Sequence, residues 1–162
     1  MFMGSYTHSL DPAGRFVMPK SFRLQLGERF YIAKGMGCLN VLSEDQMHKF
    51  ADKLMSGGDI IESVYGGNSA LLQHHFFSGL TEAKTDNQNR VLITPELKAY
   101  ANIDSDVVVC GHGSYIEIWS KENLADYEKN VMTIDALMRA GASLFSKKEE
   151  VSDGGISSTG SA

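Results

Sequence analysis

Two stretches of this chain repeat one another. Phe2-Met3-Gly4 returns as Phe77-Ser78-Gly79, and Asp11-Pro12-Ala13-Gly14-Arg15 returns as Asp86-Asn87-Gln88-Asn89-Arg90, both displaced by 75 residues. At the same displacement Phe16-Val17-Met18 matches Val91-Leu92-Ile93, and Phe22-Arg23 matches Leu97-Lys98. After a short insertion the displacement becomes 77, aligning Phe30-Tyr31-Ile32 with Val107-Val108-Val109 and Leu39–Ser43 with Ile116–Ser120. A match of this length with one small indel is a duplication. Each copy has roughly 45 residues, below the size at which a lone domain holds together without metal or disulfide. The copies must therefore bury their apolar faces against each other, which points to one pseudo-symmetric, β-rich core.

Each copy reads as strand, turn, strand, short helix, strand, tight turn, strand, helix. Phe2, Gly4, Tyr6, His8 and Leu10 alternate with the polar Ser5, Thr7 and Ser9, the period of a strand. Asp11-Pro12 opens a turn, and Gly14 falls where a left-handed residue is needed; Asn89, the next most tolerant type, holds that place in copy two. Arg15 to Met18 is the returning strand, Pro19 stops it, and Lys20 to Leu26 makes a short helix ended by Gly27. Phe30 to Ala33 and Leu39 to Leu42 form a hairpin around Gly35-Met36-Gly37, matched by Gly111-His112-Gly113. Ser43-Glu44-Asp45-Gln46 is a capping box for a helix ended near Gly57-Gly58, and Ser120 starts its counterpart. There Leu124, Tyr127, Val131, Ile134 and Met138 form one helical stripe running to about Gly141. The expected organisation is a first copy over 5–47, connecting helices over 48–79 (Ala70 to Phe77 foremost), a second copy over 80–123, a C-terminal helix over 124–145 and a disordered, Ser/Gly-rich tail over 146–162.

Composition narrows the function classes. No stretch reaches the ~18 consecutive apolar residues of a membrane span, and Met1 to Asp11 lacks the pattern of a secretory signal. Cys38 and Cys110 stand far apart with no CxxC spacing, which suits a reducing cytoplasm. The net charge of −5 argues against a nucleic-acid partner until its distribution is read. Met1 to Ser43 holds Arg15, Lys20, Arg23, Arg29 and Lys34 against Asp11 and Glu28, a local balance of +3, and the remainder carries −8. Local charge is what a duplex meets.

No phosphate loop, nucleotide-binding glycine fingerprint or nucleophile elbow is present. His74 and His75 point to different faces of a helix with no carboxylate or thiol at ligand spacing, so neither a metal, a cofactor nor a catalytic role is expected. The cysteines read as packing residues. The Asp-x-x-x-Arg turns are the sharpest feature. Alone, such a turn is a stabilised hairpin tip whose arginine is solvated or paired with its aspartate. Two of them, joined by pseudo-symmetry, would make a two-pronged basic face suited to phosphates and to guanine edges.

The opening MFMG, the DPAGR turn, FVMPKSFR, FFSG, DNQNR and YIEIWSKENLADY closely resemble the MraZ family of bacterial transcriptional regulators, of the SpoVT/AbrB-like class. The resemblance runs in order from Met1 to about Gly141. It implies an α+β, β-rich fold: a duplicated SpoVT-AbrB-like swapped-hairpin β-barrel made within one chain, with flanking short helices. It further implies a ring-like homo-oligomer in the cytoplasm, associated with the nucleoid. The implied target is double-stranded DNA carrying short direct repeats, upstream of the division and cell-wall gene cluster that includes the regulator's own gene. The family's DNA-contacting arginine carries over to Arg15 and Arg90, within loops shaped by Gly14 and Asn89; Asn89 departs from the usual Gly. Lys20, Arg23 and Lys34 are weaker, phosphate-level candidates. Two rivals are an AbrB-like antitoxin binding a protein toxin, which carries a single copy and a disordered arm, and an enzyme using His74 or His75.

Overall fold

A computed structural model describes residues 1–57 and 60–153. The first copy supplies β1 (Ser5–Ser9), β2 (Arg15–Val17), α1 (Lys20–Leu26), β3 (Phe30–Lys34), β4 (Leu39–Ser43) and α2 (Glu44–Met55). Two connecting helices follow, α3 (Ile60–Val64) and α4 (Asn68–Gly79). The second copy repeats the order as β5 (Thr81–Ala83), β6 (Arg90–Leu92), α5 (Pro95–Tyr100), β7 (Asp106–Gly111), β8 (Ile116–Trp119) and α6 (Lys121–Asn130), before α7 (Ile134–Asp153).

Local signals explain the helix ends. Ser43 Oγ accepts the Gln46 N–H at 3.3 Å, and its repeat counterpart Ser120 Oγ accepts the Asn123 N–H at 3.0 Å. Thr94 caps α5 in the same way, accepting from the Leu97 N–H at 3.3 Å. Both short helices end in the left-handed region, at Gly27 (φ 80°) and at its counterpart Asn102 (φ 56°).

The strands pair across the copies. One antiparallel sheet has the order β1-β7-β8-β4-β3-β5, and β2 pairs only with β6 in a separate two-stranded ribbon. The first strand of each copy thus lies on the third strand of the other. The register reveals a pseudo-twofold axis. On the ribbon Phe16 faces Val91, its own repeat counterpart, and in the sheet Asn40 faces its counterpart Glu117. The exchange of strands expected of a swapped hairpin is present, but the barrel is not closed. Its sheet ends at β1 and β5, because β2 and β6 spend their ladder hydrogen bonds on each other rather than on β1 and β5.

The core follows the axis. The main cluster contains the equivalent pairs Phe16/Val91, Met18/Ile93, Phe22/Leu97, Leu26/Ala101, Phe30/Val107, Ile32/Val109, Leu39/Ile116 and Val41/Ile118, all buried. Each large member contributes about 1.5–3 kcal/mol by leaving water, so neither copy retains a core without the other. Ala33, Leu42, Met47, Ala51 and Phe76 form a second cluster beneath α2 and α4, and Cys38, Val108 and Trp119 a third.

Two compact units result, Met1–Leu124 and a second beginning at Ala125. In the second, the apolar stripe expected on one helix is carried by two. Helix α6 stops at Asn130, and Thr133 Oγ1 restarts the chain by accepting the Ala136 N–H at 3.1 Å. Helix α7 reaches Asp153, into the segment read as tail; residues 154–162 of that reading lie outside the described residues.

Candidate nucleic-acid interface

One carboxylate builds each Asp-x-x-x-Arg turn. Asp11 Oδ1 accepts the backbone N–H groups of Ala13 (3.0 Å) and Arg15 (2.9 Å), and Oδ2 accepts the Arg15 Nε–H at 2.9 Å. Asp11 N–H donates to the Arg15 carbonyl at 2.8 Å, and Gly14 N–H to the Asp11 carbonyl at 2.9 Å. The second turn repeats this bond for bond. Asp86 Oδ1 accepts from Gln88 and Arg90 N–H, both at 2.9 Å, and Oδ2 accepts the Arg90 Nε–H at 2.8 Å. The left-handed position is occupied as the sequence requires, by Gly14 (φ 85°) and Asn89 (φ 61°). Their carbonyls then accept equivalent bonds from the other copy, Ile93 N–H to Gly14 at 2.9 Å and Met18 N–H to Asn89 at 3.0 Å.

The pseudo-twofold axis brings the turns together. Arg90 Nη1 donates to Asp11 Oδ2 at 3.4 Å, and Arg15 Nη1 lies 3.7 Å from Asp86 Oδ2. Four side chains thus close a ring of alternating charge with no net charge. Arg15 and Arg90 remain 34% and 24% exposed, and among the described residues neither Nη2 has a partner. The Arg15 amide, followed by its guanidinium, holds the Asp11 carboxyl below the usual 3.8. The Arg90 and Gln88 amides and the Arg90 guanidinium do the same for Asp86. A guanidinium anchored at Nε presents a fixed donor fork, the form suited to a phosphate or a guanine edge. Such an acceptor must displace Nη1 from the other copy's carboxylate, because the arginines are paired here as in a simple hairpin tip.

The remaining candidates divide. Lys20 is exposed at the start of α1. Arg23 is half-buried, and among the described residues its buried Nε has no partner. Its counterpart Lys98 was not singled out in the sequence, although the alignment of Phe22-Arg23 with Leu97-Lys98 was the available signal. The Lys98 Cδ lies 3.8 Å from the point where a Cβ on Gly14 would stand, against the first turn. Lys34 is engaged by Glu96 at 2.9 Å and stacks over Tyr100 at 5.5 Å. His75 Nε2 lies 3.4 Å from the Tyr100 hydroxyl, which donates to the Gly35 carbonyl, while His74 is exposed. The Cys38 thiol is buried beside Glu117, and burial first, then that carboxylate, pushes its pKa up to about 12. It is an inert packing group at neutral pH.

The family model described as "MraZ protein, putative antitoxin-like" matches residues 1–59 and 76–141, leaving out α3 and the first two thirds of α4. Among curated relatives, "Transcriptional regulator MraZ" of Desulfitobacterium hafniense (strain Y51) is 39% identical over 145 residues, 89% of this chain and 96% of that protein. The Heliobacterium modesticaldum protein of the same name is 37% identical over 130 residues, 80% of this chain and 87% of the relative. That of Dictyoglomus turgidum is 36% identical over 140 residues, 85% and 91% of the two chains.

Proposed function

The chain belongs to the MraZ family, and from that premise we propose that it is a sequence-specific, DNA-binding regulator of transcription rather than an enzyme. Its targets are short direct repeats upstream of the division and cell-wall gene cluster, its own gene included. It acts in the cytoplasm, at the nucleoid, as a ring-like homo-oligomer. Arg15 and Arg90 make the main contacts, from loops shaped by Gly14 and Asn89, and Lys20, Arg23 and Lys34 add phosphate contacts.

The observation that carries this reading is the pairing of the two Asp-x-x-x-Arg turns about one axis, with both guanidinium forks anchored at Nε. The ring ties the two turns together, and each arginine stays partly exposed beyond it, which packing alone does not require. The doubling also argues against the antitoxin, which needs one copy and a free arm. Arg15 carries the larger share, because it is the more exposed arginine and sits in the copy with a local balance of +3. Residues 77–120 hold three basic and six acidic residues, a balance of −3.

Titration of upstream DNA across a salt series tests the assignment. Loss of a bidentate base contact costs about 1–3 kcal/mol, and loss of a phosphate contact lowers the salt slope by about one. Arg15→Ala should weaken binding more than Arg90→Ala. Unchanged affinity in Arg15→Ala overturns the assignment.

A further inference from the structure

The ribbon between the two arginine turns has an outward face that the charges alone do not explain. Side chains alternate along a strand. Phe16 and Val91 therefore point inward, 1% and 0% exposed, while Arg15, Val17, Arg90 and Leu92 lie on the other face. Val17 and Leu92 are repeat counterparts, and both are 48% exposed. The register sets each against an arginine of the other copy, Val17 opposite Arg90 and Leu92 opposite Arg15. A solvent-facing strand position ordinarily carries a polar residue. Here both copies keep an aliphatic one, between two guanidinium groups.

We propose that Val17 and Leu92 are specificity-determining residues that read thymine methyl groups, with the β2–β6 ribbon laid into the major groove. The inference rests on the DNA-binding reading above and assigns to it a second kind of contact. The B-form major groove admits a two-stranded ribbon, and it alone displays both the guanine acceptors that an arginine fork matches and the thymine C5-methyl that an aliphatic side chain matches. Three-residue strands are short enough to seat one such arginine–aliphatic pair per copy. Phosphates and guanine edges engage the guanidinium groups once Nη1 leaves the other copy's carboxylate, and the aliphatic pair between them meets the thymine edges. A second protein chain as occupant would have to cover two guanidinium groups, a desolvation cost that DNA offsets with its phosphate and guanine acceptors.

Replacing thymine by deoxyuracil removes that methyl and nothing else, so the test needs no variant that could misfold. The site protected by the wild-type chain in upstream DNA is remade with each thymine in turn as deoxyuracil. Affinity should fall about fourfold at each contacted thymine, the equivalent of one buried CH₂ group, and stay unchanged elsewhere. Val17→Ser and Leu92→Ser should bind the thymine site more weakly, each becoming insensitive to deoxyuracil at its own positions. Equal wild-type affinity for all thymine and deoxyuracil sites overturns the methyl contact while leaving DNA binding intact. So does a deoxyuracil penalty that persists in both serine variants. A wild-type chain that prefers no sequence over mixed duplex overturns the contact together with the reading it rests on.

Discussion

Gly14 and Asn89 hold equivalent places in the repeat, yet exchanging their residue types should not be a symmetric experiment. Both backbones are left-handed, at φ 85° and 61°, a region that Gly and Asn accept and most side chains do not. The difference lies in what surrounds them. A Cβ on Gly14 would stand 3.0 Å from the Ile93 carbonyl oxygen, closer than ordinary contact. That oxygen cannot retreat freely, because the Ile93 N–H is bonded to the Gly14 carbonyl at 2.9 Å at the end of the ribbon. Gly14→Asn therefore satisfies the dihedral and still crowds the strand. Overpacking of this kind costs about 1–3 kcal/mol. A chain of this size loses about 2–4 °C of Tm per kcal/mol, so the midpoint should fall by roughly 2–12 °C. Asn89→Gly adds no atom and should move the midpoint by no more than about 2 °C, the entropy of a freer unfolded chain being small. Asn89→Val forces a β-branched residue into the same region and should fall well below both. Circular-dichroism melts of the three variants decide it. Gly14→Asn melting with the wild type would refute the crowding argument, and Asn89→Val melting with Asn89→Gly would refute the left-handed requirement itself.

Other outcomes follow from the same geometry. Asp11 and Asp86 are held below 3.8 by the hydrogen bonds of their turns, so their contribution is full above that value and is lost as pH falls through the lower folded values. Melting below about pH 4 should therefore steepen in the wild type, and Asp11→Asn with Asp86→Asn should flatten that part of the curve. Cys38, its thiol raised to about 12, should resist alkylation at pH 8 in the folded chain and react once denaturant exposes it; rapid labelling of the native chain at Cys38 would contradict its burial. High affinity should need several repeats and an assembled oligomer, with avidity gains of about 10²–10⁴. Inserting about 5 bp between repeats turns one site to the opposite DNA face and should abolish the gain; equal affinity for the original and inserted DNA leaves a one-site binder.

The sequence carried local geometry further than partnership. The left-handed residues at 14 and 89 and the helix over Lys20–Leu26 were readable because each depends on chemistry within a few residues. The segment Ala70 to Phe77 was readable as the centre of α4 for the same reason. Alternation put Tyr6 and His8 on one side of β1, where they meet Phe22 and Phe16 although Tyr6 stays exposed. It did not tell that β7 rather than β2 is the neighbour of β1, since periodicity names a face and never a partner. The cross-copy contacts of Arg90 with Asp11 and Arg15 with Asp86 depend on where the axis falls, which the register fixes only after folding. The break at 131–133 escaped because the apolar spacing runs through it unbroken; Thr133 ahead of Ile134 and Asp135 was the cap signal available.

Fusing two copies in one chain also changes what the ribbon can read. A dimer of identical chains presents identical halves, and its DNA site mirrors that twofold symmetry. Here the axis is kept by the backbone and broken by the side chains. Gly14 corresponds to Asn89, Arg23 to Lys98, Val17 to Leu92, and the charge balance changes sign between the copies. Each half can therefore meet a different base sequence while the geometry of the paired arginines stays fixed. An element of that kind has a direction along the duplex. In the ring-like oligomer proposed above, if every chain has the same orientation, the sites for such an element are direct repeats rather than palindromes.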